Sequence, residues 1–274
     1  MKIVIPSLKR AGKVDALKII PDYWMPDTYI AIGQDDYNDY RAAYPNINLL
    51  VVKAKGIANV REEILNGPHF TDPKIVMVDD DCRMGYRTSP DGLGSKTAKI
   101  DETNLNTVGL DAWNRMNEIL DTYAHAGFSE AMLNRSNPDS TFNINFKALH
   151  ILCYNKDLFP EGGVKFNRVM LREDYDVTLQ LLEAGKPNYI EYLYTQDAGL
   201  SNKAGGCSEY RNAENQTSTA YELQNLHPGF VRLKDRKPPK GGGWFDGQEF
   251  KDVVVYWKKA YESSKEVKQN ALQV

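Results

Sequence analysis

Apolar residues recur along the first eighty positions in short unbroken runs, each followed by a polar stretch of helical period. Lys2–Ile5 is a short apolar strand. Val14, Leu17 and Ile20 then recur near helical spacing until Pro21 stops them. Tyr29–Ile32 reads as a second strand, followed by a helical face of Tyr37, Tyr40, Arg41 and Tyr44 that Pro45 closes. Leu49–Val52 is a third strand. Ile57, Val60, Ile64 and Leu65 make a short amphipathic helix ended by Gly67-Pro68, and Ile75–Val78 is a fourth strand. Strands without polar alternation, separated by helices, predict a largely parallel sheet covered on both faces.

The second half is less regular. Residues 87–108 are polar and rich in Gly, Ser and Thr, and are expected to loop over the site. Leu110, Trp113, Met116, Leu120 and Tyr123 share a helical face, and Leu149–Tyr154 reads as a strand. Arg172–Ala184 has the signals of a helix: acids at the start, Val177, Leu181 and Leu182 on one side, Gly185 just past the end and Pro187 beyond. Tyr189–Tyr194 is a late strand. Residues 197–219 form a polar segment in which Gly205–Gly206 is either a lid hinge or a turn. Residues 234–247, with Pro238–Pro239 and Gly241–Gly243, read as a flexible connection to a charged final helix. The expected organisation is a domain over 1–233 followed by an extension over 234–274.

Composition narrows the class. An apolar share of 42% over 274 residues can build a sizeable core. No run of about 18 apolar residues is present, so no membrane span is expected. The opening apolar run, cut short by Pro6, is too brief for a signal peptide. Three widely spaced cysteines fit no zinc site or disulfide framework. The expectation is a cytoplasmic protein with free thiols, in which the sequons at Asn134 and Asn215 carry no meaning. A formal charge of −3 argues against a global electrostatic grip on nucleic acid. One basic run remains, Arg232, Lys234, Arg236, Lys237 and Lys240, suited to phosphates or to a solvated linker.

The chemistry concentrates in Asp79-Asp80-Asp81, directly after the fourth apolar strand. Ligands of such sheets bind beyond the carboxyl ends of the strands. Three adjacent carboxylates repel one another, and a hard cation such as Mn²⁺ or Mg²⁺ is the usual reason for them; capping of a strand end by solvated acids is the alternative. Asp79 and Asp81 have Asp-x-Asp spacing and are the candidate metal ligands. Such a metal would offset charge on a departing diphosphate. A Walker-type nucleotide site is excluded because no Gly-Lys pair stands in a suitable glycine loop. A dehalogenase-type Asp-x-Asp would follow the first strand rather than the fourth. Glu173-Asp174 offers a second acidic motif, with Asp174 as candidate general base, although acids in a first helical turn also simply suit the helix dipole. Arg10 and Arg61 carry forks that match diphosphate oxygens or a carboxylate partner.

Taken in order, the first strand with Pro6-Ser7, then Gly56-x-Ala58-x-x-Arg61, Asp79-x-Asp81 and Glu173-Asp174 resemble the A-fold (GT-A) glycosyltransferases over roughly residues 1–230. The resemblance implies a Rossmann-like, mostly parallel α/β sheet with a C-terminal extension. It implies that Pro6, Ser7, Arg10, Gly56, Ala58 and Arg61 hold the nucleoside diphosphate, with Asp79 and Asp80 also on the donor. It implies that Asp174, beside Glu173, deprotonates an acceptor hydroxyl in an inverting transfer. His227, in Leu-His-Pro-Gly, is its candidate for a further metal ligand; His69, His125 and His150 are read as structural or solvated. The donor implied is a nucleotide sugar, of the uridine diphosphate type. Two narrower stretches, Ile3–Ala11 and Glu173–Gln180, followed by Gly205-Gly206-Cys207-Ser208, look like the bacteriophage TET-associated glycosyltransferases. Those are thought to glycosylate hydroxymethylcytosine in DNA, which makes hydroxymethylated DNA the expected acceptor and the host cytoplasm the expected location. A protein, lipid or saccharide acceptor, a metal-dependent nucleotidyltransferase, or a non-catalytic binding module on the same fold are the alternatives.

Overall fold

The computed structural model describes residues 1–198, 210–237 and 248–271. The strands are β1 (Lys2–Pro6), β2 (Thr28–Gly33), β3 (Asn48–Val52), β4 (Lys74–Val78), β5 (Cys82–Arg87), β6 (Thr97–Lys99), β7 (His125–Glu130), β8 (Phe142–Ile144), β9 (Ile151–Asn155), β10 (Asn188–Ala198), β11 (Val231–Arg236) and β12 (Phe250–Val255). The helices are α1 (Tyr37–Ala43), α2 (Ile57–Asn66), α3 (Leu110–Ile119), α4 (Ala131–Arg135), α5 (Glu173–Glu183), α6 (Ala213–Leu226) and α7 (Trp257–Ala271). The stretch from Val14 to Ile20, read as helical, is the 3-10 turn Asp15–Ile19.

Ten strands form one sheet in the order β3-β2-β1-β4-β9-β7-β10-β5-β6, with β8 on β10. β3, β2, β1 and β4 are mutually parallel. β9 runs against β4 and β7, while β7 and β10 are parallel. Tracing directions through the pairings, only β5, β8 and β9 oppose the rest, so seven of the ten strands run one way. The sheet is thus mostly parallel, as its uninterrupted apolar strands require.

Alternation along each strand builds two cores. Ile3 and Ile5 of β1, Val76 and Val78 of β4, and Phe128 of β7 point to one face, where Trp113 and Met116 of α3 and Tyr40 of α1 cover them. Val4, Met77, Leu152 and Tyr192 point to the other, under Ile64 and Leu65 of α2 and Val177 and Leu181 of α5. Helices therefore lie on both faces. Leu179 and Leu182, on another side of α5, carry a third cluster with Ala220 and Leu223 of α6, Val231, Val253, Trp257 and Ala260. The C-terminal part of the chain is seated on the domain through α5.

Several segments differ from the sequence expectation. Within 87–108, Thr97–Lys99 is an edge strand on β5 and Leu105–Gly109 a short π-helix, so this stretch is only partly irregular. Part of 197–219 is helix α6, capped by the Asn212 side chain accepting from the Asn215 amide at 2.8 Å. Residues 234–236, expected in a flexible connection, complete β11, which crosses the boundary placed at 233. Gly205–Gly206, Cys207–Ser208, Pro238–Pro239, Lys240 and Gly241–Gly243 lie outside the described residues. No helix of the described residues is long and apolar enough to cross a membrane.

Candidate active site

The carboxyl ends of β1 and β4 sit side by side, because the two strands pair in parallel. β1 delivers Pro6 and Ser7; β4 delivers Asp79, Asp80 and Asp81. Just beyond the strand the chain turns, the Cys82 amide donating to the Asp79 carbonyl at 3.0 Å, and the turn sends Asp79 and Asp80 to different partners. Asp80 turns toward Ser7, whose hydroxyl donates to it at 2.6 Å. Tyr40 donates to Ser7 Oγ at 2.7 Å and in turn accepts from the Arg10 backbone amide at 2.9 Å. The Arg10 guanidinium pairs with Asp80. Burial raises the Asp80 carboxyl pKa, as do Asp79 and Asp81, while Ser7 and Arg10 oppose them.

Asp79 turns toward α2 and α5. The Arg61 guanidinium, 5% exposed, reaches Asp79 at 2.5 Å and Glu173 at 2.6 Å. Gly56 permits this placement: it starts α2 at φ +80°, a conformation that glycine adopts without strain, and Ala58 in the first turn is buried. His150 donates from Nδ1 to the other Asp79 oxygen at 2.8 Å, and its backbone carbonyl accepts the Asp79 amide at 2.8 Å. Burial alone would raise the Asp79 pKa, but Arg61 and His150 outweigh it and hold the carboxyl down at about 2. Asp79 is therefore a carboxylate throughout the physiological range.

Glu173 and Asp174 open α5. Glu173 is buried, and burial pushes its pKa up to about 7 against the pull of Arg61, with Asp174 and Asp79 adding to the rise. The Asp174 pKa is also raised by burial, which Arg61, the Tyr175 amide and His150 counter. Such a carboxylate is a better proton acceptor than an exposed one. The chain enters this helix through Arg172 at φ +58°, held by hydrogen bonds to the Gln216 carbonyl at 3.0 Å and to Asp252 at 3.0 Å.

The structure thus gathers Ser7, Arg10, Arg61, Asp79, Asp80, Glu173 and Asp174 around the ends of β1 and β4. It also adds two residues that the sequence reading left out of the site. His150, a structural or solvated residue by its local sequence, is a direct partner of Asp79. Tyr40, one residue of a helical face by its spacing, organises Ser7 and the Arg10 backbone. Neither had a local signal, since each reaches the site through strand or helix placement.

His227 departs from its expected place. It ends α6, is 1% exposed, and has both ring nitrogens engaged: Nε2 with Asp176 at 2.7 Å and Nδ1 with Glu183. Burial lowers its pKa, but the two carboxylates outweigh that and raise it overall. With each ring nitrogen held against a carboxylate oxygen, His227 turns no free lone pair toward a cation. Asp79 is likewise committed to Arg61 and His150. Asp81 is different: it makes no hydrogen bond among the described residues, and the Arg10 guanidinium stands 3.9 Å away. Among the described residues no three His, Cys, Asp or Glu side chains converge as a ready-made metal cage. One open carboxylate fits Mg²⁺ or Mn²⁺ that takes its other ligands from phosphate and water.

A family model described as TET-Associated Glycosyltransferase matches residues 1–205. Among curated proteins, the beta-glucosyl-HMC-alpha-glucosyl-transferase of Enterobacteria phage T6 is 22% identical over 238 residues, covering 85% of this chain and 84% of that protein. Among solved structures, S. aureus TarS 1–349 in complex with UDP superposes with a TM-score of 0.44 at 15% identity, over 82% of this chain and 66% of that one. Mouse xyloside xylosyltransferase 1 gives a TM-score of 0.29 at 8% identity, over 56% and 59%. The family match spans the whole constellation from Ser7 to Asp174, the aspartate run and its arginine and histidine partners included, and the chain accordingly belongs to the TET-Associated Glycosyltransferase family.

Proposed function

We propose that this glycosyltransferase moves a sugar from a nucleotide-sugar donor to hydroxymethylcytosine in DNA, and that the transfer is inverting with Asp174 as general base. The observation that carries the reading is the Arg61 bridge. One buried guanidinium ties the aspartate run at the end of β4 to the acidic start of α5, so the donor-side and acceptor-side carboxylates form one cluster. The family match supports the activity, and the name of the T6 relative supports the acceptor class.

In this reading Ser7, Arg10, Tyr40 and Asp80 form the donor end, near Pro6, Gly56 and Ala58. Asp81 would hold Mn²⁺ or Mg²⁺, which when bound offsets charge on the diphosphate. Asp174 accepts the proton of the hydroxymethyl group as that oxygen forms its bond to the anomeric carbon. The bond from that carbon to the diphosphate oxygen breaks, and the nucleoside diphosphate leaves with the electron pair. Glu173 and His150 position this chemistry by fixing Arg61 and Asp79.

The test offers duplex DNA containing hydroxymethylcytosine, the same DNA bearing β-glucosylated hydroxymethylcytosine, and unmodified DNA, each with a panel of nucleotide sugars and Mn²⁺. Digestion to nucleosides and mass spectrometry should reveal a sugar-sized increment on the hydroxymethylcytosine DNA and none on the unmodified DNA, whereas an increment on the β-glucosylated DNA alone would move the acceptor hydroxyl from the base to the sugar. The anomeric configuration of that product, read by NMR, decides between inversion and retention. Nucleoside diphosphate release with no increment on any DNA would refute the acceptor while leaving sugar transfer intact.

A further inference from the structure

The hairpin β11–β12 lies beyond the residues of the family match. Its inner face, Val231 and Val253, belongs to the cluster on α5 and α6. Strand alternation puts Arg232, Lys234 and Arg236 on the opposite face, about 6.6 to 6.8 Å apart along the strand. Across from them on β12 stand Val254, Asp252 and Phe250, so Asp252 is the one acid among these six residues. Lys234 is 43% exposed and Arg236 57% exposed. Arg232 donates to the hydroxyl of Tyr256 at 3.2 Å, and that tyrosine, itself 42% exposed, offers an aromatic face beside the row.

This face is joined to the active site. Asp252 accepts from Arg236 at 2.6 Å with one oxygen and from Arg172 at 3.0 Å with the other. Arg172 directly precedes Glu173 and Asp174. Three cations (Arg172, Lys234 and Arg236) thus share the Asp252 carboxylate, and Arg232 adds a fourth positive charge to the same face, on a chain whose formal charge is −3. A solvated strand face needs no such sorting of sign. Evenly spaced guanidinium and ammonium groups beside an exposed tyrosine are the features by which proteins follow a nucleic-acid strand, phosphate by phosphate, with a base stacked alongside.

We propose that the face of β11–β12 bearing Arg232, Lys234 and Arg236 is a phosphate track that leads the acceptor DNA strand to the Asp174 end of α5. The proposal rests on the DNA-acceptor reading above and adds to it where the polymer is gripped.

The experiment compares the wild type with Arg232→Gln/Lys234→Gln, leaving Arg236 to hold Asp252. Lys18→Gln/Lys53→Gln serves as a control with the same change in charge. Circular dichroism and thermal melting establish that each variant is folded. Binding to a fluorescent duplex containing hydroxymethylcytosine is followed from about 50 to about 200 mM salt. Two lost phosphate contacts should reduce the slope of log affinity against log salt by about 1.8, which amounts to about a tenfold difference across that range. The control should keep the wild-type slope. In turnover, KM for the duplex should rise about tenfold with kcat unchanged, while transfer to the free hydroxymethylcytosine nucleoside is unaltered. A variant that keeps the wild-type slope, when the wild type glycosylates DNA, overturns the track and leaves the function standing. A reduced slope in a protein that transfers no sugar to DNA sustains the track and overturns the function. A wild type that binds no duplex at all overturns both.

Discussion

Arg61→Met is expected to destabilise the protein by an amount that grows with pH. The substitution keeps most of the apolar stem and removes the fork that faces Asp79 at 2.5 Å and Glu173 at 2.6 Å. Asp79 retains His150, but Glu173 has no other side-chain partner among the described residues. Removing one partner of a buried charge pair costs about 3 to 5 kcal/mol, and this loss is expected near about pH 8. At about pH 5.5 it should be smaller, because Glu173, raised to about 7, is already protonated in the native protein. In the unfolded chain this glutamate ionises near about 4.3. Its raised native pKa therefore contributes stability that is complete below about 4.3 and is lost as pH climbs through about 7. Without Arg61 the native pKa moves higher still, so the loss continues past 7. Between about pH 5.5 and 8 the variant therefore loses more stability from this group than the wild type does, and the gap widens by about 1 kcal/mol. Urea unfolding at the two pH values, with equal slopes confirming the same transition, measures it. A gap that does not change with pH, or a total loss below about 1 kcal/mol at pH 8, would refute the assignment of Arg61 as the buried tie between the two motifs.

Asp81→Asn should weaken donor binding in Mn²⁺ and abolish turnover, as should excess chelator with the wild type; full activity in chelator, by nucleoside diphosphate release, would remove the metal from the scheme. Asp174→Asn keeps the shape of the side chain but accepts no proton, so turnover should fall by about 10²-fold or more with donor affinity near normal by calorimetry; an unaltered kcat would return these acids to a purely helix-stabilising part. His227→Leu should leave the Mn²⁺ concentration for half activity unchanged while lowering the melting temperature. Because the native His227 pKa is raised, its contribution is complete below about 6.5 and fades as pH rises through the native value, so the melting difference should be largest near about pH 6 and shrink in alkali.

The parallel half of the sheet was legible because its strands are buried on both faces and so are continuously apolar, as in Ile3–Ile5 and Ile75–Val78. β7 escaped notice for a physical reason: His125-Ala126-Gly127-Phe128-Ser129-Glu130 has little apolar character, yet it lies between β9 and β10 and its first five residues are buried. His125 tolerates that place as a neutral ring, its pKa lowered to about 4 by burial, with its nitrogens near the Cys153 carbonyl and the Thr178 hydroxyl. Helix α6 was hidden because most of its residues are polar and only a narrow stripe, Ala220 and Leu223 among it, meets the core. In the site, the acids and arginines stood out by type and spacing. Their pairings did not, since Arg61 meets Glu173 across 112 positions and His150 meets Asp79 across 71. Leu-His-Pro-Gly pointed to His227 by position alone, and position did not reveal that Asp176 and Glu183, both on α5, would take its two nitrogens.

The order of strands across the sheet also governs how the chain can fold as it is made. By residue 78 the parallel block β3-β2-β1-β4 is available, and its contacts can form without the rest. β4 then has one row of backbone groups with no partner, flanked by Ile75, Val76, Met77 and Val78, until β9 arrives at Ile151, about 70 residues later. Pairings this distant in sequence are slow to form. An apolar strand with an open edge is also a template for another copy of itself. The waiting edge of β4 therefore makes crowded synthesis and concentrated refolding the hazardous conditions for this protein, and makes the arrival of β9, which also brings His150 to Asp79, the step that covers that edge and fixes the first aspartate of the site together.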